Sequence, residues 1–369
     1  MIKKKKIKVL IIDDSSLVRD ILARGLSQDP IIEVVGTAPD AYIARDKILS
    51  LKPDVLTLDI EMPKMDGLEF LRKLMPQYPL PVIVVSSLSQ AGKHITLKAL
   101  ELGAVDFIPK PSSDMINSLP LMLMELRTKI RIASSANVSH WKKKFQNSVF
   151  SENEINSLKS NIENKKNSTI ETHFKRESTD KVIAIGASTG GTEAIRKIIS
   201  QLPVNIHGIV IVQHMPAGFT RLFAENLNKF SNLNIKEAEN NERIIPGKVL
   251  IAPGGFHIRV VRDGGMYKVV CSSSENVNGH CPSIDVFMRS VAENVGKNSY
   301  GILLTGMGKD GAEGLKAMKQ KGSINIAQDE STSVVFGMPK VAYEIGATDV
   351  VLPIDKIANY LIELINKNN

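Results

Sequence analysis

Cysteine is scarce: the 369 residues hold only Cys271 and Cys281, which form no Cys-x-x-Cys unit and no zinc pattern. Neither a disulfide framework nor a cysteine metal cage is therefore indicated, and both are read as reduced thiols. Aromatic residues are few, at 5% of the chain, and none alternate with basic residues to form a stacking surface for nucleic acid. No apolar run approaches the ~20 residues needed to cross a bilayer. The lysine-rich start leads into Lys8-Val9-Leu10-Ile11-Ile12, too short for a signal-peptide core and followed at once by Asp13-Asp14. It reads as a basic end entering a first strand of a cytoplasmic protein that inserts in no membrane. A formal charge of +8 does not imply a nucleic-acid partner, because much of the excess lies in Lys3 to Lys6, Lys8 and Lys142 to Lys144. Those lysines are read as solvated end and linker residues.

What is present is the composition of a soluble globular protein, 43% hydrophobic and 23% charged, with enough length for two cores. Over residues 1–133, apolar strand-like runs (Val9–Ile12, Val34–Thr37, Val55–Leu58, Val82–Val85, Val105–Ile108) alternate with helix-like segments, ending in a helix around Leu119 to Ile132. That alternation predicts an α/β fold with a five-stranded parallel sheet covered by helices on both faces. Residues 134–180 change to Ser, Asn, Lys and Glu with scattered Trp141, Phe145, Phe150 and Ile155, a composition that predicts a flexible linker with at most short helical pieces. Over 181–369 the alternation returns. Strands are predicted at Val182–Ile185, Gly208–Val212, Val249–Ile251, Tyr300–Leu304 and Ser323–Ala327, and helices at Glu193–Gln201, Thr220–Asn228 and Glu313–Lys321. A β-hairpin is predicted over His257 to Cys271, turning at Asp263-Gly264-Gly265.

Acids end strands in the first half: Asp13 and Asp14 after the first, Asp59 after the third. In an open parallel sheet, binding residues gather at the carboxyl ends of the strands. Carboxylates held together repel one another unless a cation joins them, and a hard ion such as Mg²⁺ fits that demand. Ser86 ends the fourth strand and Lys110 follows the fifth, so a hydroxyl and an ammonium are available for phosphate oxygens. The bland alternative is a set of helix-capping and turn acids.

These residues resemble the receiver domain of two-component response regulators, over essentially all of residues 6 to about 130. The resemblance implies a flavodoxin-like fold and a phosphoacceptor role for Asp59, attacking phosphorus as a carboxylate nucleophile. It also implies Mg²⁺ held by Asp14, Asp59 and the Glu61 carbonyl, with Asp13 acting through water. Ser86 and Lys110 would contact the phosphoryl group, Phe107 would be the switch aromatic, and a histidine kinase would be the phosphodonor.

In the second half, the strand Lys181 to Ile185 runs into Gly186-Ala187-Ser188-Thr189-Gly190-Gly191 and then a helix. A serine between glycines on a strand-to-helix turn has the context of a nucleophile elbow. The helix N-terminus offers free N–H groups to a developing oxyanion. A dinucleotide site is the rival for such a turn, but the spacing is G-x-x-x-G-G, and the next strand ends in Gln213-His214 instead of an acid. A serine needs a base, and of His207, His214, His257 and His280 only His214 sits at the carboxyl end of a predicted parallel strand. The same placement selects Asp310 as the acid that orients the imidazole. Taken singly, a turn serine, a satisfied core histidine and a helix N-cap explain these residues as well. The order Ser, His, Asp differs from that of α/β-hydrolases.

Gly186–Gly191, Gln213-His214-Met215-Pro216-Ala217-Gly218-Phe219-Thr220, Ile251-Ala252-Pro253-Gly254, Thr305–Gly311 and Val335-Phe336-Gly337-Met338-Pro339 together resemble the chemotaxis protein-glutamate methylesterase family, CheB. The likeness covers residues 181 to about 365, and a receiver domain ahead of it is the family's architecture. It implies a doubly wound catalytic domain that hydrolyses γ-glutamyl methyl esters on methyl-accepting chemotaxis receptors, often deamidating receptor glutamines too. Ser188, His214 and Asp310 would be catalytic without a cofactor, and the backbone N–H groups of Thr189 and Met307 would meet the oxyanion. The family often reads His-Arg-Pro-Ser where this chain has His280-Cys281-Pro282-Ser283. Adjacent side chains on an extended segment point apart, so this stretch is read as a substrate loop and not as a His-Cys catalytic pair. The resemblance further implies that the unphosphorylated receiver covers the cleft. A receiver-linked DNA-binding regulator is the rival from another class, and residues 181 to 365 lack a compact helix-turn-helix.

Overall fold

The computed structural model describes residues 5–87, 89–110, 115–139, 141–142 and 181–367. Most of the predicted linker, with Phe145, Phe150 and Ile155, lies outside the described residues, as do Lys3, Lys4, Lys143 and Lys144. Among the described residues, no helix is long and apolar enough to cross a membrane.

The N-terminal domain runs β1 (Ile7–Ile12), α1 (Ser16–Ser27), β2 (Ile32–Ala38), α2 (Ala41–Leu51), β3 (Val55–Leu58), α3 (Gly67–Gln77), β4 (Val82–Ser86), α4 (Gln90–Glu101), β5 (Asp106–Pro109) and α5 (Met115–Ala133). Its sheet has the order β2-β1-β3-β4-β5, parallel throughout. The central strands are apolar along their length because helices cover both faces: Val9 to Ile12 and Val82 to Val85 are all buried. Asp13 and Asp59 therefore leave the sheet at one rim, where Lys110 follows β5.

The C-terminal domain runs β6 (Val182–Ala187), α6 (Gly191–Ile199), β7 (Gly208–Gln213), α7 (Phe219–Asn228), β8 (Asn234–Glu237), β9 (Lys248–Ile251), β10 (His257–Asp263), β11 (Met266–Ser272), α8 (Ile284–Asn294), β12 (Ser299–Leu303), α9 (Ala312–Gln320), β13 (Ile324–Gln328), α10 (Met338–Glu344), β14 (Val350–Leu352) and α11 (Ile354–Lys367). A seven-stranded parallel sheet takes the order β14-β13-β12-β6-β7-β9-β8. The chain winds outward from β6 through β7, then returns to lay β12 on the other side of β6. The switch point thus lies between β6 and β12, where an open sheet of this kind forms its binding crevice. The predicted hairpin is β10–β11, closed by Asp263↔Met266 pairing. Gly264 and Gly265 both take positive φ there (55° and 90°), as a two-residue hairpin turn requires.

The segment after α5 is docked. Val138 and Trp141 are buried, and Asn137 N–H donates to the Val334 carbonyl of the C-terminal domain at 2.9 Å. The domains also meet where α4 packs on α6 and α7. At that face the Phe107 ring of β5 lies 4.4 Å from the Phe219 ring of α7.

Candidate functional site

Ser188 follows β6 on a turn fixed from several sides. Its N–H donates to the Thr305 carbonyl at 3.0 Å, and its carbonyl accepts from Gly191 N–H at 2.7 Å and Gln213 Nε2 at 3.0 Å. Gly190 enters α6 with φ of +78°, and a Cβ on Gly306 would sit 2.6 Å from the Ser188 Cβ, so both positions need glycine. His214 follows the adjacent strand β7, and Asp310 lies in the turn between β12 and α9.

These three residues, distant in sequence, converge. His214 Nδ1 is 3.1 Å from Ser188 Oγ, and His214 Nε2 is 2.9 Å from Asp310 Oδ2. The ionised carboxylate only accepts, so Nε2 carries the proton and Nδ1 is the acceptor for the serine hydroxyl. Asp310 also accepts from Asn278 Nδ2 (2.7 Å), Ser283 Oγ (2.8 Å), Ile284 N–H (2.7 Å) and Asp285 N–H (3.2 Å). Burial alone would raise its pKa, but the His214 and Asn278 side chains and the Ile284 N–H outweigh it and hold the carboxyl well below the usual range. Among the described residues, neither the Thr189 nor the Met307 N–H donates to a protein acceptor, which leaves both free for an oxyanion.

The other histidines sort by position. His207 precedes β7 at the opposite end of the strand. His257 is fully buried and satisfied, with Nε2 3.0 Å from the Glu275 carbonyl and Nδ1 3.0 Å from Ser283 N–H. His280 stacks on His214, ring centroids 3.7 Å apart and planes 14° from parallel. Burial raises the Cys281 thiol above its ordinary pKa, which makes it a poor thiolate, and pushes Cys271 up to about 11 with help from Glu242 and Glu237.

A cleft of about 620 Å³ opens over Ser188 and His214. Met307 and His280 line it together with Leu121, Met124 and Lys129 of α5, so the N-terminal domain contributes part of the lining. Thr189 Oγ1, beside the serine, donates to Asp106 Oδ2 at 2.8 Å, and Lys129 Nζ lies 2.8 Å from Asp106 Oδ1. Sequence reasoning assigned no role to Asp106, Lys129, Asn278, Asp285 or Phe219. Phe219 lay within a recognised motif, whereas the others become neighbours of the site only through tertiary packing.

In the N-terminal domain the oxygens of Asp13, Asp14 and Asp59 lie within 4.8 Å of one another. Lys110 Nζ is 2.8 Å from Asp59 Oδ2 and 2.9 Å from Asp13 Oδ2. One ammonium against these carboxylates leaves excess negative charge, and an all-oxygen donor set of this spacing fits a hard divalent ion such as Mg²⁺. Burial raises the Asp59 pKa despite the Lys110 contact; burial pulls Lys110 down, but its two carboxylate partners outweigh that and raise it. Ser86 Oγ is 2.5 Å from Thr96 Oγ1 of α4, so its hydroxyl must leave that partner to reach a phosphoryl group.

Comparison with known proteins agrees with this division. Residues 183–361 match the family described as CheB methylesterase, and residues 9–118 the response regulator receiver domain. The protein-glutamate methylesterase/protein-glutamine glutaminase of Syntrophotalea carbinolica is 58% identical over 98% of this chain and 99% of its own length. The protein of the same description from Sulfurimonas denitrificans is 47% identical over the same shares of the two chains. The catalytic domain of Thermotoga maritima CheB methylesterase is similar over 50% of this chain and 98% of that one, at 44% identity and a TM-score of 0.49.

Proposed function

Because the chain belongs to the CheB family of protein-glutamate methylesterase/protein-glutamine glutaminases, with a receiver domain ahead of its esterase domain, we propose that it demethylates glutamyl methyl esters of chemotaxis receptors under control of receiver phosphorylation. Deamidation of receptor glutamines is the same acyl transfer with ammonia as leaving group. The observation that carries the reading is the hydrogen-bonded line from Ser188 through His214 to Asp310 at the sheet's switch point.

Ser188 Oγ attacks the ester carbonyl as His214 Nδ1 takes its proton. The Thr189 and Met307 N–H groups receive the tetrahedral oxyanion, one such donor being worth roughly 10²–10³ in rate. Collapse expels methanol, which takes the proton from the imidazolium. Water then attacks the acyl-enzyme with His214 as base, releasing glutamate and restoring the serine. Asp310 holds the imidazole in its tautomer and stabilises its charged form.

In the receiver domain, Asp59 would accept a phosphoryl group from a chemotaxis histidine kinase, with Asp13, Asp14 and Asp59 as the residues to hold Mg²⁺. The ion would neutralise phosphate charge during transfer. Lys110 is in place to pair with the new phosphoryl oxygens, and Ser86 would turn toward them from Thr96. Phe107, three residues before Lys110 and against Phe219, is the route by which that change reaches the esterase domain. The presence of α5 beside Ser188 and His214 in the lining of the cleft favours a receiver that restrains the esterase until phosphorylated. We place the protein in the cytoplasm, where free Cys271 and Cys281 stay reduced; no nucleic acid takes part.

The test is methanol release from methylated receptor membranes by the full chain, with and without a small phosphodonor. Stimulated release that vanishes in Ser188→Ala and persists in Cys281→Ser is the expected result. Release that survives Ser188→Ala, or phosphodonor-dependent binding to duplex DNA without release, would overturn the reading.

A further inference from the structure

We propose that His280 is a positioning residue for the esterase: its ring is the platform that keeps the His214 imidazole aligned between Ser188 and Asp310. This rests on the reading of Ser188 as nucleophile. His214 is held at Nδ1 (3.1 Å) and Nε2 (2.9 Å), and an imidazole directs its N–H and its lone pair in the plane of the ring. These two bonds stop the ring from turning within its plane, but leave it free to tilt about the line joining the two nitrogens. A contact on the ring face opposes that tilt beyond what the side-chain torsions do, and His280 supplies one, with ring centroids 3.7 Å apart and planes 14° from parallel.

The platform is itself built in. Val277 and His280 exchange backbone hydrogen bonds of 3.0 Å each across a tight turn, whose apex residues Asn278 and Gly279 take φ of 54° and 83°. The same turn ties its other side to the orienting acid, because Asn278 Nδ2 donates to Asp310 Oδ1 at 2.7 Å and to Asp285 Oδ2 at 2.8 Å. Asp285 in turn accepts the Gly311 and Gly314 N–H groups at the start of α9 (3.0 and 2.7 Å). The half-turn that lays His280 on the base therefore also fixes the carboxylate on the base's far side. Below the turn, His257 clamps both flanks through Glu275 and Ser283.

Charge permits the role. Burial, then His214, lower the His280 pKa to about 4; Lys129 of α5 acts in the same sense, while Asp310 and Asp106 oppose it. The ring is thus uncharged where the esterase works, and does not repel the imidazolium that forms on His214.

The experiment compares the full chain with His280→Ala and His280→Phe, measuring kcat and KM for methanol release with phosphodonor, and the ring signals of His214 in protein labelled with ¹⁵N-histidine. Loss of alignment by about an ångström costs on the order of 100-fold, so H280A is expected to lose roughly that much in kcat with KM changed less than about threefold. H280F keeps a flat ring and is expected to recover most of the loss. His214 signals should shift in H280A and return toward wild type in H280F. An unchanged kcat in H280A, an equal loss in both variants, or a change in KM alone would each overturn the proposal. If the wild-type chain released no methanol, the demethylation reading would fail separately, and unaltered His214 signals in H280A would then sink the platform.

Discussion

Replacing Asp310 by asparagine tests the tautomer on which the hydrolytic reading depends. Every group facing this carboxylate is a donor: Asn278, Ser283 and the Asp285 N–H on Oδ1, His214 Nε2 and the Ile284 N–H on Oδ2. An amide must set its NH₂ against one of these groups. The Oδ2 side is favoured: there His214 can move its proton from Nε2 to Nδ1 and one donor is left opposed, whereas on the Oδ1 side the Ser283 hydroxyl could turn but Asn278 Nδ2 and the Asp285 N–H would both face donors. The imidazole then presents N–H to Ser188 and can no longer act as base. A wrong tautomer of this kind lowers kcat by about 10⁴ in serine proteases, and a similar loss is expected for methanol release here. The stability cost is smaller, about 1–3 kcal/mol, because only the Ile284 N–H is left facing a donor. Histidine ¹⁵N signals should show Nδ1 protonated in the variant. A kcat within tenfold of wild type, or an unmoved tautomer, would refute the argument.

Asp59→Asn should leave basal methanol release in place and abolish its stimulation by a phosphodonor; stimulation that persists would break the link between the domains. Phe107→Leu keeps apolar volume but loses the ring pair with Phe219. Such pairs are worth about 0.5–1.5 kcal/mol, so the unphosphorylated rate should rise about two- to tenfold, and an unchanged rate would remove Phe107 from the coupling. His280 predicts a pH-dependent stability difference. Its folded pKa is depressed from 6.5 to about 4, so the unfolded chain binds more protons between these values and stability falls as pH falls through that window. The loss is of order 3 kcal/mol by pH 4, and the urea midpoints of wild type and H280F should diverge accordingly.

Most of the strands legible in the sequence share a physical cause, the edge strands β2 and β5 and the alternating hairpin apart. Those of the sheet interiors are covered on both faces and read as continuous apolar runs, as in Val9–Ile12 and Ile209–Val212, all buried. The strands not foreseen are edges: β8 is Asn-Ile-Lys-Glu with one buried residue, and β14 is three half-buried residues. Neither needs an apolar run, because an edge strand is only partly enclosed. The helices α8 and α11 were missed despite an available signal. Ile284, Phe287, Met288 and Val291 follow the spacing of a buried helical stripe behind the N-cap Ser283, and Ile354, Ile357, Ala358, Leu361 and Ile365 do the same.

The site divides along a different line. Ser188, His214 and Asp310 could be proposed from sequence because each follows a parallel strand, and parallel strands deliver their carboxyl ends to one rim whatever their order in the chain. The β6–β12 switch then accounts for the Ser, His, Asp order without any relation to α/β-hydrolases: β7 brings the histidine from one side of the serine strand and β12 brings the acid from the other. No such rule governs the groups that surround these residues. His280 and Asn278 sit on a turn outside the sheet, and their positions follow from backbone bonds between Val277 and His280 and from the buried His257 beneath. Asp106 reaches Thr189 across 83 residues, through a domain interface that periodicity does not encode. Strand topology therefore brings Ser188, His214 and Asp310 together, while the groups around them are placed by turn hydrogen bonds and tertiary packing that strand periodicity does not encode.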